Sequence, residues 1–199
     1  MTRRILAALA LAVAAALTLT ACGDETGSDA TESGTPSPTF NDADVAFAQQ
    51  MIPHHKQAVL MSRMAATHTS SAGVQRLAAG IESAQGPEIE TMTGWLEDWG
   101  ADVPDGSSDH MGHGMDGMPG MDGMPGMMTD RQLRALGRAR GGSWDRMFLR
   151  MMIAHHEGAI EMANTEIEEG ENPNAVALAE RIVEAQQAEI DQMRQMLRS

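Results

Sequence analysis

Three features of the amino-acid sequence predict an all-α protein, an antiparallel four-helix bundle assembled from two duplicated helical hairpins. The first is an internal repeat: setting residue n beside residue n+101 aligns two windows without a gap. In one window Asp44, Phe47, Met51, Ile52, His54, His55, Ala58 and Met61 recur as Asp145, Phe148, Met152, Ile153, His155, His156, Ala159 and Met162. In the other, Leu77, Ala78, Ile81, Ala84, Gln85, Glu88, Ile89, Met92 and Leu96 recur as Leu178, Ala179, Ile182, Ala185, Gln186, Glu189, Ile190, Met193 and Leu197. Seventeen identities at one fixed offset mark a single supersecondary unit used twice. The second feature is helical period without strand alternation. On a helical wheel Phe47, Met51, His54, His55, Ala58, Met61 and Ala65 fall in a stripe about 120° wide. The third is connection length, short within each copy and long between them, as an antiparallel bundle requires.

Taken in order, the chain opens on Arg3 and Arg4, an apolar run from Ile5 to Leu19, and then Leu19-Thr20-Ala21-Cys22. A positive start, an apolar stretch too short for a comfortable span, and small residues before a cysteine read as a lipoprotein signal peptide over residues 1–21. Cys22, the only cysteine, is then the lipid-modified first residue of the mature chain, which places the protein outside the cytoplasm on the cell membrane. Residues 22–39 lack any large apolar side chain and are rich in Ser, Thr, Gly, Asp and Pro, so they form a flexible tether. The duplicated bundle occupies 40–199, with copy one over 41–98, a Met/Gly-rich linker over 105–128 and copy two over 129–198. Four helices are expected, at about 41–68, 74–98, 129–168 with a break at Gly141-Gly142, and 173–198. Asn41 or Asp42 caps the first, Gly73 falls in the turn before the second, and Pro53 should kink the first, although copy two has Ala154 there. Leu77, Ile81, Ala84, Gln85, Glu88, Met92 and Leu96 form the apolar stripe of the second helix, with Glu88 near its centre.

Without residues 1–21 the chain carries 12 basic and 28 acidic residues, a net charge of −16. That balance disfavours nucleic acid and favours cations. There is no Tyr and there are three Phe and three Trp, but eighteen Met. Met alone is adaptable core filler, so its placement carries the argument.

The repeated unit is Met-Ile-x-His-His-x-x-Ala-x-x-Met. Met51 stands three and four residues before His54 and His55, and Met61 stands seven after His54, so these side chains can approach one point or two adjacent points on a helix face. Met152, His155, His156 and Met162 repeat the arrangement. Imidazole suits several transition metals, whereas a thioether is soft and selects Cu(I). His with Met therefore indicates copper, Cu(I) before Cu(II). Glu88 and Glu189 could ligate, orient a histidine, or serve only as buried hydrogen-bond partners. Between the copies, His110, Met111, His113, Met115, Met118, Met121 and Met124, followed by Met127 and Met128, stand among Gly, Asp and Pro. Such a segment has no core for its Met residues to fill, and exposed thioethers there suit a collector of Cu(I) or Ag(I). His68 has no repeat partner and is expected at the surface.

Nothing argues for nucleophilic catalysis, a phosphate loop, or the Glu-x-x-His pairs of di-iron bundles. At Met51-Ile-Pro-His-His-Lys-Gln-Ala and Met152-Ile-Ala-His-His-Glu-Gly-Ala-Ile-Glu-Met-Ala the chain resembles a bacterial family, domain of unknown function 305, over about residues 40–199. The resemblance implies a ferritin-like four-helix bundle. It also implies periplasmic or surface copper binding at Met51, His54, His55, Met61, Met152, His155, His156 and Met162. The expected function is a non-enzymatic, extracytoplasmic copper-binding lipoprotein that buffers or sequesters the metal. A ferritin-like metal oxidase and a metal-free structural or partner-binding bundle are the alternatives. Partners are expected to be metal ions and, through Cys22, the membrane, with no nucleic acid; self-association stays open.

Overall fold

The computed structural model describes residues 39–104 and 124–198, all within one unit, Pro36–Ser199. The signal segment, Cys22, most of the tether and residues 105–123 lie outside the described residues. The described residues form six helical segments: α1 (Asp42–Arg63), α2 (Ala65–His68), α3 (Ala72–Asp98), α4 (Asp130–Arg138), α5 (Gly141–Glu169) and α6 (Pro173–Met196). The expected first helix is thus α1 with the short α2 behind it. The expected third is split into α4 and α5 at Ala139–Arg140, just before Gly141, whose φ of 57° is a left-handed turn conformation that favours glycine. α1 runs unbroken through Pro53. Gly73 lies in the first turn of α3, not before it, because Ser71 supplies the cap by accepting from the Val74 N–H.

α1 starts where local chemistry dictates. The Asn41 side chain accepts from the N–H groups of Ala43 and Asp44, at 2.8 and 3.1 Å. Asp44 in turn accepts from the Asn41 N–H at 2.7 Å, closing a capping box. The same two residues tie the start of α1 to the end of α5. Asn41 donates to the Glu169 carbonyl at 2.8 Å, and Asp44 accepts from the N–H groups of Glu171 and Asn172 at 3.2 and 2.9 Å. We expect Asn41→Ala to cost about 1–2 kcal/mol, read as a lower denaturation midpoint with an unchanged slope.

α1 packs on α3, α5 on α6, and α1 on α5. The core falls into two apolar clusters. One joins Phe47, Met51, Met92 and Leu96 of copy one to Ala159, Met162, Leu178 and Ile182 of copy two. The other joins Phe148, Met152 and Met193 to Ala58, Met61, Leu77 and Ile81. These are the same positions exchanged through the 101-residue offset, so the hairpins are antiparallel across the α1–α5 contact and related by an approximate twofold. Each cluster takes side chains from both copies. Neither hairpin can bury its apolar face alone.

Three expectations need correction. Met128, placed with the linker, is 8% exposed and belongs to a core cluster, because residues 124–128 lie against the bundle. Ala84 is exposed, since the core-facing stripe of α3 is narrower than the wheel implies. His68 is half-buried: its Nε2 lies 3.0 Å from the Gly137 carbonyl and its ring 5.8 Å from that of Trp144, which ties α2 to α4.

Candidate metal centre

The four repeated histidines lie between the two apolar clusters, two residues each from α1 and α5. His54, His55 and His156 are fully buried and His155 is 1% exposed. The rings of His54 and His155, equivalent positions of the repeat, meet with centroids 3.8 Å apart and planes tilted by 38°. They therefore mark the place where the approximate twofold crosses α1 and α5.

The outer pair is held identically in both copies. His55 Nε2 lies 2.7 Å from Glu88 Oε2, and His156 Nε2 lies 2.6 Å from Glu189 Oε2. A carboxylate accepts, so each imidazole donates through Nε2–H and its lone pair stands on Nδ1. The Nδ1 atoms of both rings are buried without a partner. The carboxylates stand at the rim of the core, 22% exposed, rather than at the centre of the stripe, where Gln85 is buried instead. His54 follows the same logic with a different acceptor. Its Nε2 lies 3.1 Å from the Pro125 carbonyl, which can only accept, and its Nδ1 is again buried and unpartnered. Among the described residues neither nitrogen of His155 makes a well-formed hydrogen bond, although the His54 backbone lies near enough to favour its protonated form.

A buried polar atom without a hydrogen bond costs about 1–3 kcal/mol, and the open Nδ1 atoms of His54, His55 and His156 stand together in this layer. Burial, then the neighbouring His55 and to a lesser degree His156, against the raising effect of the Pro125 carbonyl, bring His54 down to about 3. Burial, then His54 and His156, hold His155 well below its ordinary value. The central pair is thus neutral at physiological pH, and its lone pairs are free without loss of a proton.

The thioethers flank this layer. Met51 and Met162 share one cluster, Met61 and Met152 the other, all 7% exposed or less. The methionines of one sequence motif are thus divided between the two sides of the histidines, and each gains a neighbour from the other copy. Among the described residues no group of three or more His, Cys, Asp or Glu side chains gathers as a metal cage. Of the linker residues, Met124 is half-buried, while His110, Met111, His113, Met115, Met118 and Met121 lie outside the described residues.

Sequence reasoning passed over Gln85 and Gln186, buried at 2% and 4% one turn before the glutamates, although both are kept by the repeat. It also passed over Gln57, which pairs with the linker, and Glu166. Glu166 carries no repeat signal because its counterpart is Ala65.

Fold and site together define a class: a duplicated helical-hairpin bundle with a buried histidine layer at its crossing point, bounded on both sides by methionine. The chain belongs to the family described as Domain of unknown function (DUF305), which matches residues 44–197. A DUF305 protein of Streptomyces coelicolor, described as a secreted one, is 33% identical with a TM-score of 0.67, over 78% of this chain and 91% of that one. CopM in its Cu(II)-bound form is 34% identical with a TM-score of 0.65, covering 78% and 95% of the two chains. The Cu(I)-bound form of CopM is 32% identical with a TM-score of 0.62 and the same coverage. CopM has also been solved in silver-bound and apo forms. No curated protein matches the chain. None of these solved relatives bears the name of an enzyme.

Proposed function

We propose that this protein binds copper, Cu(I) foremost and Cu(II) as well, in the histidine layer, and that it buffers or sequesters the metal outside the cytoplasm. The observation that carries the reading is the set of buried Nδ1 lone pairs left open while the opposite nitrogens of three rings are held by Glu88, Glu189 and the Pro125 carbonyl. A carboxylate on the far nitrogen fixes the tautomer and raises the basicity of the near one, so Glu88 and Glu189 act as orienting partners and not as ligands. His54, His55, His155 and His156 supply nitrogen. Met51, Met61, Met152 and Met162 supply thioethers from either side, and low-coordinate Cu(I) needs no cage of hard ligands. The copper-bound and silver-bound forms of CopM support a soft metal, and the description of the Streptomyces relative supports a place outside the cytoplasm.

In this reading Cys22 carries the lipid anchor. The segment with His110, Met111, His113, Met115, Met118, Met121 and Met124 gathers the metal ahead of the bundle. Among the described residues no helix is long and apolar enough to cross a membrane.

Titration of the protein with Cu(I) held by a competing chelator tests the proposal. Binding is expected to survive deletion of residues 105–123 and to weaken at least 100-fold when His54 and His155 are both replaced by Ala. Uptake that disappears with the linker and is indifferent to the histidines would make the bundle a scaffold for the collector. Absence of binding in every form would leave a structural bundle.

A further inference from the structure

The last five residues before copy two, Met124–Met128, form a strap along the histidine layer. Gln57 grips it with both ends of its amide. Its Nε2 donates to the Met128 carbonyl at 2.9 Å, and its Oε1 accepts from the Met128 N–H at 2.7 Å, both bonds being buried. The Pro125 carbonyl lies 3.1 Å from His54 Nε2. The strap comes this close because two positions lack a side chain. Gly126 has φ of +74°, and a Cβ there would lie 3.0 Å from the His155 Cα; a Cβ on Gly158 would collide with the Pro125 carbonyl. Gln57 and Gly158 are the same position of the repeat. The two copies have therefore diverged where the strap is read: copy one holds it with a side chain, and copy two admits it by having none.

We infer that the strap is the orienting partner of His54, a backbone counterpart of Glu88 and Glu189. The seating of the linker's end thus sets the metal affinity of the central histidine pair. A carbonyl on Nε2 forces the Nε2–H tautomer and leaves the Nδ1 lone pair of His54 as the donor to the metal. Without the strap, His54 would lose the one hydrogen bond that fixes its tautomer, since its Nδ1 has no partner. Gln57 and Gly158 are positioning residues in this scheme, and Pro125 acts through its main chain, so side-chain identity at 125 matters less than where the backbone lies. The inference rests on the copper reading above, and it names the part of the chain that tunes the site.

Gly158→Ala in the full chain is the direct test, since alanine suits the middle of a helix and the only cost falls on the strap. Gln57→Ala attacks the strap from the other side, should the first variant fold poorly. Three quantities are read: exchange of the Met128 amide, the ring 15N shifts of His54 in the apo protein, and affinity for Cu(I) against a chelator. The strap reading expects the Met128 amide to lose protection, His54 to pass from the Nε2–H form to a mixture of tautomers, and affinity to fall about 10- to 100-fold. Undocking of the strap with tautomer and affinity unchanged overturns the inference. So does a loss of affinity while His54 keeps its Nε2–H form. A tautomer shift in a protein that never takes up Cu(I) upholds the orienting role and overturns the copper reading instead.

Discussion

Glu166→Gln is expected to abolish an alkaline loss of stability that the wild-type protein shows between about pH 5 and pH 8. Glu166 is 1% exposed, and Gly170 leaves the space it fills, since a Cβ at 170 would lie 2.7 Å from its carboxyl carbon. Burial first, and then the Asp44 carboxylate beside it by hydrogen bond and by charge, together raise this group from 4.5 to about 8. Asp44 itself accepts from the N–H groups of Asn41, Glu171 and Asn172. The sign follows. The folded state holds the proton more tightly than the unfolded chain, so the contribution is full below about pH 4.5 and is lost as pH rises through 8. At 1.36 kcal/mol per tenfold change, the loss amounts to about 3–5 kcal/mol. Gln keeps an N–H donor toward Asp44 and carries no charge, so denaturant unfolding of the variant should show no decline from about pH 6.5 to pH 8 and should be firmer than wild type at pH 9. The opposite arm comes from His54, whose folded value of about 3 lies below the ordinary 6.5. Its contribution is present above pH 6.5 and is lost as pH falls toward 3, in wild type and variant alike. A variant that keeps the alkaline decline would mean that Glu166 is ionised in the fold.

The duplication made most of the fold legible, because a fixed offset reports the hairpin, its short turn and the positions that both copies need. The buried histidine layer was legible too: His54, His55, His155 and His156 with Glu88 and Glu189 are among the repeated polar residues on a largely apolar pattern. What the pattern could not carry is relation between helices. A wheel places Met51 and Met61 on one face of one helix, yet Met51 shares its cluster with Met162 and Met61 with Met152, because antiparallel copies exchange halves. Gln57, Gly158 and Glu166 were invisible for the converse reason. They mark where the copies differ, and a search for sameness discards them. Met128 was misplaced because its sequence neighbours are Gly, Pro and Met, while two hydrogen bonds to Gln57 carry its backbone into the core.

Those open ring nitrogens set a conflict between stability and function that a single substitution exposes. His155→Leu is expected to make the metal-free protein more stable by about 1–3 kcal/mol, because it replaces a buried ring whose nitrogens lack a well-formed hydrogen bond with apolar atoms of similar volume. The gain should widen toward pH 4, where a buried imidazole that resists its proton favours unfolding. Addition of Cu(I) should reverse the order. A metal bound only to the folded state at 1,000 times its Kd adds about 4 kcal/mol, so the wild-type protein overtakes the variant if His155 is a ligand. The measurement is denaturant unfolding with and without Cu(I) at controlled free concentration, on both proteins. A variant weaker than wild type without metal would identify His155 as a structural packing residue. A variant stabilised by Cu(I) as fully as wild type would move the site off the central pair and onto His55 and His156 with their glutamates, which hold the remaining oriented Nδ1 atoms of the layer beside His54.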